Sequence, residues 1–130
     1  MANAWVNLVI LLALLEFFAF GFLVGKARVT YGVKAPAMSG HEMFERYFRV
    51  QYNTLELLIA FVPALWIAAS YWNPVWMAAV GAVYLIGRIL YLQGYVRDPK
   101  TRSIGFGLSM LPILFLVLAA LAGVGKSLIA

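Results

Sequence analysis

Two stretches of this chain carry groups that bind charge and exchange protons inside otherwise apolar sequence. In FERYFRVQYNTLE (Phe44–Glu56), Arg49, Asn53 and Glu56 fall within about 60° of one another when wound as a helix. Glu42, Glu45 and Arg46 extend that stripe toward the preceding loop. Further along, Tyr84, Arg88, Tyr91 and Tyr95 form a second stripe about 60° wide. Guanidinium forks bind carboxylates in bidentate fashion, and a carboxylate beside an amide can hold an ammonium. One cavity lined by both stripes suits a small zwitterion with two carboxylates and an ammonium. The competing reading is a purely structural network, Glu56 paired with Arg88 for instance, because ionisable groups in hydrocarbon satisfy one another.

The elements that must position these groups are membrane helices. The 130 residues are 65% hydrophobic and 12% charged, whereas soluble domains carry about 45–50% apolar and 25% charged residues. That length gives one domain, residues 1–130. There is no cysteine and a single histidine, His41, so no disulfide, protein thiolate or metal site is expected. The net charge of +5 sits at the ends of apolar segments. It therefore reads as topology and head-group contact, and no nucleic-acid partner is expected. MANAWVNLVI lacks a basic start before its long apolar run, as a retained span does and a cleaved signal does not.

Spans are expected over about 5–24, 44–72, 75–95 and 104–128, in an up-down-up-down bundle. Residues 25–43 read as a longer loop, Asn73-Pro74 as a tight turn, and Pro63 and Pro112 as kink sites. This arrangement puts nine of the ten Lys and Arg residues on one side and only Lys126 on the other. The charged side is then cytoplasmic, with Trp5, Trp72 and Trp76 forming an aromatic belt opposite. Counted from those tryptophans at ~1.5 Å per residue, Arg49 and Arg28 lie about 34 Å deep, and Asn53 and Tyr95 about 28 Å. Glu56 and Tyr91 follow at roughly 22–24 Å, Arg88 and Glu16 at roughly 16–18 Å. Gln51 points about 200° away from Arg49. Either it forms a lone interhelical hydrogen bond, or its helix serves one pocket of its own and one of a neighbour in a cyclic homo-oligomer. Glu16 reads as a pairing partner for Arg88 or as a neutral acid.

FERYFRVQYN-x-x-E (Phe44–Glu56), GRILYLQGY (Gly87–Tyr95) and R-x-x-GFGLS (Arg102–Ser109) occur in that order. By these motifs the chain resembles the membrane-associated proteins in eicosanoid and glutathione metabolism (MAPEG), in particular the glutathione-transferase and leukotriene-synthase branches. The resemblance implies a four-helix subunit in a homotrimer, with glutathione as co-substrate between subunits near the cytosolic face. By position, Arg49 would hold a glutathione carboxylate, and Asn53, Glu56 and Tyr91 the γ-glutamyl end. Tyr95 would add a phenol, Arg88 would support the pocket from below, and Arg28 and Gln51 would come from the neighbouring subunit. Arg102 matches the arginine that activates the thiol, with Arg28 beside it in the catalytic set. Both could instead serve as loop and head-group anchors. Leu57 and Ile59 stand where the leukotriene-synthase branch has Tyr and Pro.

The expected activity is a membrane glutathione transferase or peroxidase acting on a lipophilic electrophile or lipid hydroperoxide that arrives through membrane lipids. A binding member without turnover and a small proton-coupled exporter centred on Glu16 stay open. The expected location is a bacterial inner membrane, with the active-site side cytoplasmic.

Overall fold

Hydrocarbon offers backbone groups no water to bond, so apolar segments of this length close their hydrogen bonds internally as helices. The computed structural model describes residues 2–130. It has four helices, α1 (Ala2–Tyr31), α2 (Glu42–Tyr71), α3 (Pro74–Arg97) and α4 (Ser103–Ile129), with a 3₁₀ turn at Pro99–Thr101. All four are long and apolar enough to cross a membrane. α2 and α3 each pack against both α1 and α4. Phe61, Leu65, Tyr84, Ile113 and Leu116 fill the centre, with the Phe61 and Tyr84 rings stacked 3.9 Å apart.

α1 extends beyond its apolar run. The stretch from Gly25, expected to be loop, stays helical to Tyr31. One exposed glycine costs a helix only about 1 kcal/mol, and Lys26 to Tyr31 contain no proline. The stop comes at Gly32, whose φ of 70° suits glycine and ends the helix. The Val33 N–H closes on the Arg28 carbonyl at 3.0 Å, and Val33 packs near Ala27. The loop proper spans 32–41. His41 ends it by accepting the Met43 N–H on Nδ1 at 3.1 Å, its ring stacked on Tyr31. Glu45 reaches back to the Gly40 N–H at 3.2 Å.

The α2–α3 connection is tight. Asn73 accepts the Val75 N–H at 2.9 Å, and Pro74 opens α3, where a missing N–H costs nothing. α2 and α4 run unbroken through Pro63 and Pro112. At the far end of α3, Arg46 of α2 donates to the Val96 and Arg97 carbonyls at 2.9 and 3.1 Å, placing a cation where the helix dipole is negative. Asp98 accepts the Lys100 N–H and Thr101 donates to the Gly94 carbonyl, so the turn delivers Arg102 to the start of α4.

Glycine lets α3 and α4 touch backbone to backbone, a packing mode suited to helices that gain little from hydrophobic association in lipid. A Cβ on Gly87 would lie 2.6 Å from the Leu108 carbonyl carbon, and one on Gly105 would collide with the Tyr91 backbone nitrogen. Gly107, two residues on, faces open space. Gly105→Ala should therefore destabilise the subunit by about 1–3 kcal/mol, the usual cost of overpacking. Gly107→Ala should be neutral or slightly stabilising. Thermal unfolding of both variants in detergent checks the contrast.

Candidate functional site

The centre of the bundle is organised around one fully buried cation, Arg88 of α3. Its Nη1 donates to Asn53 Oδ1 at 2.8 Å and Thr54 Oγ1 at 3.0 Å, both on α2. Its Nε donates to Ser109 Oγ on α4 at 2.9 Å. Each hydroxyl gives its own proton to a carbonyl one turn back, Thr54 to Val50 at 2.8 Å and Ser109 to Gly105 at 2.7 Å. Both oxygens thereby present lone pairs to the guanidinium. The Tyr91 ring lies beneath it, 4.4 Å from Cζ to centroid, which adds cation–π attraction in a desolvated place.

Arg88 also orients Asn53. With Oδ1 occupied by the guanidinium, the half-buried Asn53 has only its NH₂ group to offer a ligand, so it binds acceptors.

Tyr91 links this core to the outside. Its ring lies 5.5 Å from that of Tyr95, and its phenol is within electrostatic reach of Arg49, Arg88, Tyr95 and Arg102. Beyond them a groove of about 610 Å³ opens at the charged end of the bundle, lined by Arg46, Phe48, Arg49, Tyr52, Tyr95 and Pro99 among others. Ligand sites typically occupy about 300–1,000 Å³.

Four arginines at this end of the bundle, of which Arg46 and Arg49 line the groove, fall into two groups. Arg46 is tied to Glu42 at 2.7 Å and to the end of α3. Arg28 donates to the Ala37 carbonyl at 2.7 Å and lies over the Phe44 ring. The guanidiniums of Arg49 and Arg102, by contrast, have no hydrogen bond or ion pair within the chain among the described residues.

The expected site residues divide accordingly. Arg49, Asn53, Arg88, Tyr91, Tyr95 and Arg102 come together across α2, α3 and the start of α4. Glu56 is exposed on α2 and is not a partner of Arg88. Gln51 lies against Gly21 of the chain's own α1, on the far side of α2 from the groove. Counting from the tryptophans separates Asn53 from Arg88 by about 10 Å in depth, yet the two side chains are bonded. Residue counting leaves out helix tilt and the reach of a long side chain, which together bring the Arg88 guanidinium to Asn53.

Thr54 and Ser109 were not anticipated, because a hydroxyl in an apolar helix looks like any other residue able to bond its own backbone. The available signals were the adjacency of Thr54 to Asn53 and the place of Ser109 at the end of the third motif. Among the described residues, no group of three His, Asp or Glu side chains gathers as metal ligands would.

Residues 6–122 match the model of the MAPEG family. The chain is 46% identical over 120 residues to an uncharacterized Synechocystis sp. protein, covering 92% of this chain and 88% of that one. It is 42% identical over 108 residues to microsomal glutathione S-transferase 2 of Homo sapiens, covering 83% and 74%. To leukotriene C4 synthase of Rattus norvegicus it is 39% identical over 83 residues, 64% of this chain and 55% of that protein.

Removing the central cation should cost more than removing one of its acceptors. Ser109→Ala leaves one buried N–H unpaired, a loss of about 1–3 kcal/mol. Arg88→Leu strips three acceptors and breaks a buried charge network, a loss of about 3–5 kcal/mol. Denaturant unfolding in mixed micelles reads the order of the two variants.

Proposed function

We propose that this chain, which belongs to the MAPEG family, is a membrane-embedded glutathione transferase with its active site at the charged end of the bundle. The observation that carries the reading is the unpaired guanidinium of Arg49 in the groove, with that of Arg102 sharing its reach to Tyr91, while the groove's other arginine, Arg46, is already engaged. A tripeptide with two carboxylates, an ammonium and a thiol needs donors for the carboxylates and a cation for the sulfur. Arg49 takes one carboxylate through its fork. The Asn53 amide, turned donor-outward by Arg88, takes an acceptor at the γ-glutamyl end together with the Tyr91 phenol. Glu56 holds the ammonium and Tyr95 closes the side of the pocket.

Arg102 acts on the sulfur. A free thiol with pKa near 8.5 is only a few per cent thiolate at neutral pH, and the thiolate is the nucleophile. A cation within about 4–6 Å lowers that pKa by ~1–3 units. The sulfur then attacks the electrophilic carbon of a lipophilic acceptor, forming the S–C bond while the leaving group departs with its electron pair. With a lipid hydroperoxide, the sulfur instead takes the terminal oxygen to give a sulfenic acid and an alcohol. A second glutathione converts the sulfenic acid to disulfide and water.

The reading includes a homotrimer, supported by the exposure of Glu56 and Arg49 on a membrane helix. Across that interface the partner's Arg28, fixed by its own loop, supplies its remaining N–H groups, and the partner's Gln51 an amide. A bacterial inner membrane with the charged end in the cytoplasm fits the charge bias and the Synechocystis relative.

Turnover of 1-chloro-2,4-dinitrobenzene and of cumene hydroperoxide with glutathione, measured in detergent, tests the activity. Arg102→Ala should move the pH–rate profile up by ~1–3 units and lower the rate at neutral pH accordingly, with glutathione still bound. Arg49→Ala should weaken glutathione binding by about 10–100-fold, the weight of a hydrogen bond to a charged group. Tight binding without turnover on either substrate would replace the enzyme by a binding protein. Unchanged affinity in both Arg49→Ala and Glu56→Ala would remove the site.

A further inference from the structure

Of the chain's five acidic residues, four are engaged elsewhere or turned away from Arg88. Glu42 pairs with Arg46, Glu45 accepts the Gly40 N–H, Asp98 accepts the Lys100 N–H, and Glu56 faces outward. Glu16 is the fifth. It sits on α1, the one helix that gives Arg88 no hydrogen bond, and Glu16, Tyr84 and Arg88 lie within electrostatic reach of one another.

No direct ion pair or hydrogen bond closes this group. Glu16 Oε1, the Tyr84 hydroxyl and Arg88 Nη2 are each sealed from the surface, and each lacks a protein partner. A bare polar atom in an apolar interior costs several kcal/mol on a hydrocarbon scale, so three such atoms on the packed helices α1 and α3, within electrostatic reach of one another, call for a shared partner. The chemistry that completes all three is a single internal water. It accepts from Arg88 Nη2 and from the Tyr84 hydroxyl, and donates to Glu16. Buried waters typically make about three such bonds to otherwise unpaired groups.

We propose that Glu16, through a water shared with Tyr84 and Arg88, is a positioning residue for the ligand site. It holds the Arg88 guanidinium in the pose that fixes Asn53 with its NH₂ group toward the groove. The chain of contact runs Glu16 (α1), water, Arg88 (α3), Asn53 (α2), and only the last member meets the ligand. Without Glu16 the guanidinium is drawn toward other acceptors, and Asn53 becomes free to turn its carbonyl outward. This rests on the reading of the groove as a glutathione site.

The test has one arm that depends on that reading and one that does not. In the first, glutathione KM and kcat are measured for Glu16→Leu, Asn53→Ala and the double variant. Glu16→Leu should raise KM about tenfold, the weight of one hydrogen bond, with kcat nearly unchanged, and Glu16→Gln should restore most of it. In the Asn53→Ala background, Glu16→Leu should change KM no further; an equal change in both backgrounds overturns the relay.

The second arm follows the side-chain NH₂ resonance of Asn53, assigned by its loss in Asn53→Ala, in protein without glutathione. It should shift in Glu16→Leu, shift less in Tyr84→Phe, which keeps the ring on Phe61, and stay in place in Glu16→Gln. A fixed resonance in both Glu16→Leu and Tyr84→Phe overturns the proposal. A shifted resonance in a protein that binds no glutathione overturns the functional reading alone and leaves the relay standing. Should Glu16→Leu fail to fold, Tyr84→Phe and Glu16→Gln decide the resonance arm by themselves.

Discussion

A guanidinium in the middle of a membrane bundle has to be solvated by protein, and most of this subunit's internal order follows from how Arg88 is solvated. Its acceptors come from α2 and α4, its aromatic face from α3, and a carboxylate within electrostatic reach from α1. Lipid tails are as apolar as leucine, so apolar packing gives membrane helices little reason to prefer one neighbour over another. A cation with several directional bonds does give a reason. Hydrogen bonds to charged groups are worth about 1.5–3 kcal/mol each, and their geometry fixes both the rotation and the height of the helices that make them.

The same cation gives the pocket its polarity. Arg88 does not line the groove, yet it holds the Asn53 carbonyl oxygen and so sets how that amide is turned. Arg46 works similarly at the rim, using its own charge to cap α3 and so to hold Tyr95 and the turn before Arg102. Arginines fixed into the scaffold surround two that are free. Such a division suits a site for an anionic ligand, since a guanidinium already bridging carbonyls has little left for a guest.

Much of this was legible in the sequence because polar residues are rare in it. Arg49, Asn53, Arg88, Tyr91 and Tyr95 stood out against hydrocarbon, and helical spacing was enough to group them on two faces. The axial register was less accessible. Tryptophan counting set Asn53 and Arg88 a turn or two apart, and it left both Glu56 and Glu16 open as partners of Arg88, of which the structure leaves Glu56 exposed and keeps Glu16 within electrostatic reach. Which of two carboxylates faces a cation depends on helix rotation to within a fraction of a turn, and sequence carries no such precision across separate helices. Glycines posed a related problem. Gly105 and Gly107 are alike in sequence, yet only Gly105 lies against another backbone, because only one face of α4 meets α3.

Glu56 shows what a single subunit leaves unfinished. It lies in the middle of α2, exposed, with the apolar side chains of Leu55 and Ile59 also open beside it. A charge at the centre of a bilayer-spanning helix costs about 2.5–3.5 kcal/mol even on the most lenient scale. Facing lipid, that carboxylate would weaken the fold without any return. On the proposed reading, a second copy packed against α2 would cover it at a seam near Arg49 and Asn53, where a bound zwitterion would supply the missing positive group. On the reading proposed above, a neighbouring subunit with a ligand between would complete both the exposed charge of α2 and the groove, because each lacks a partner that lipid does not supply.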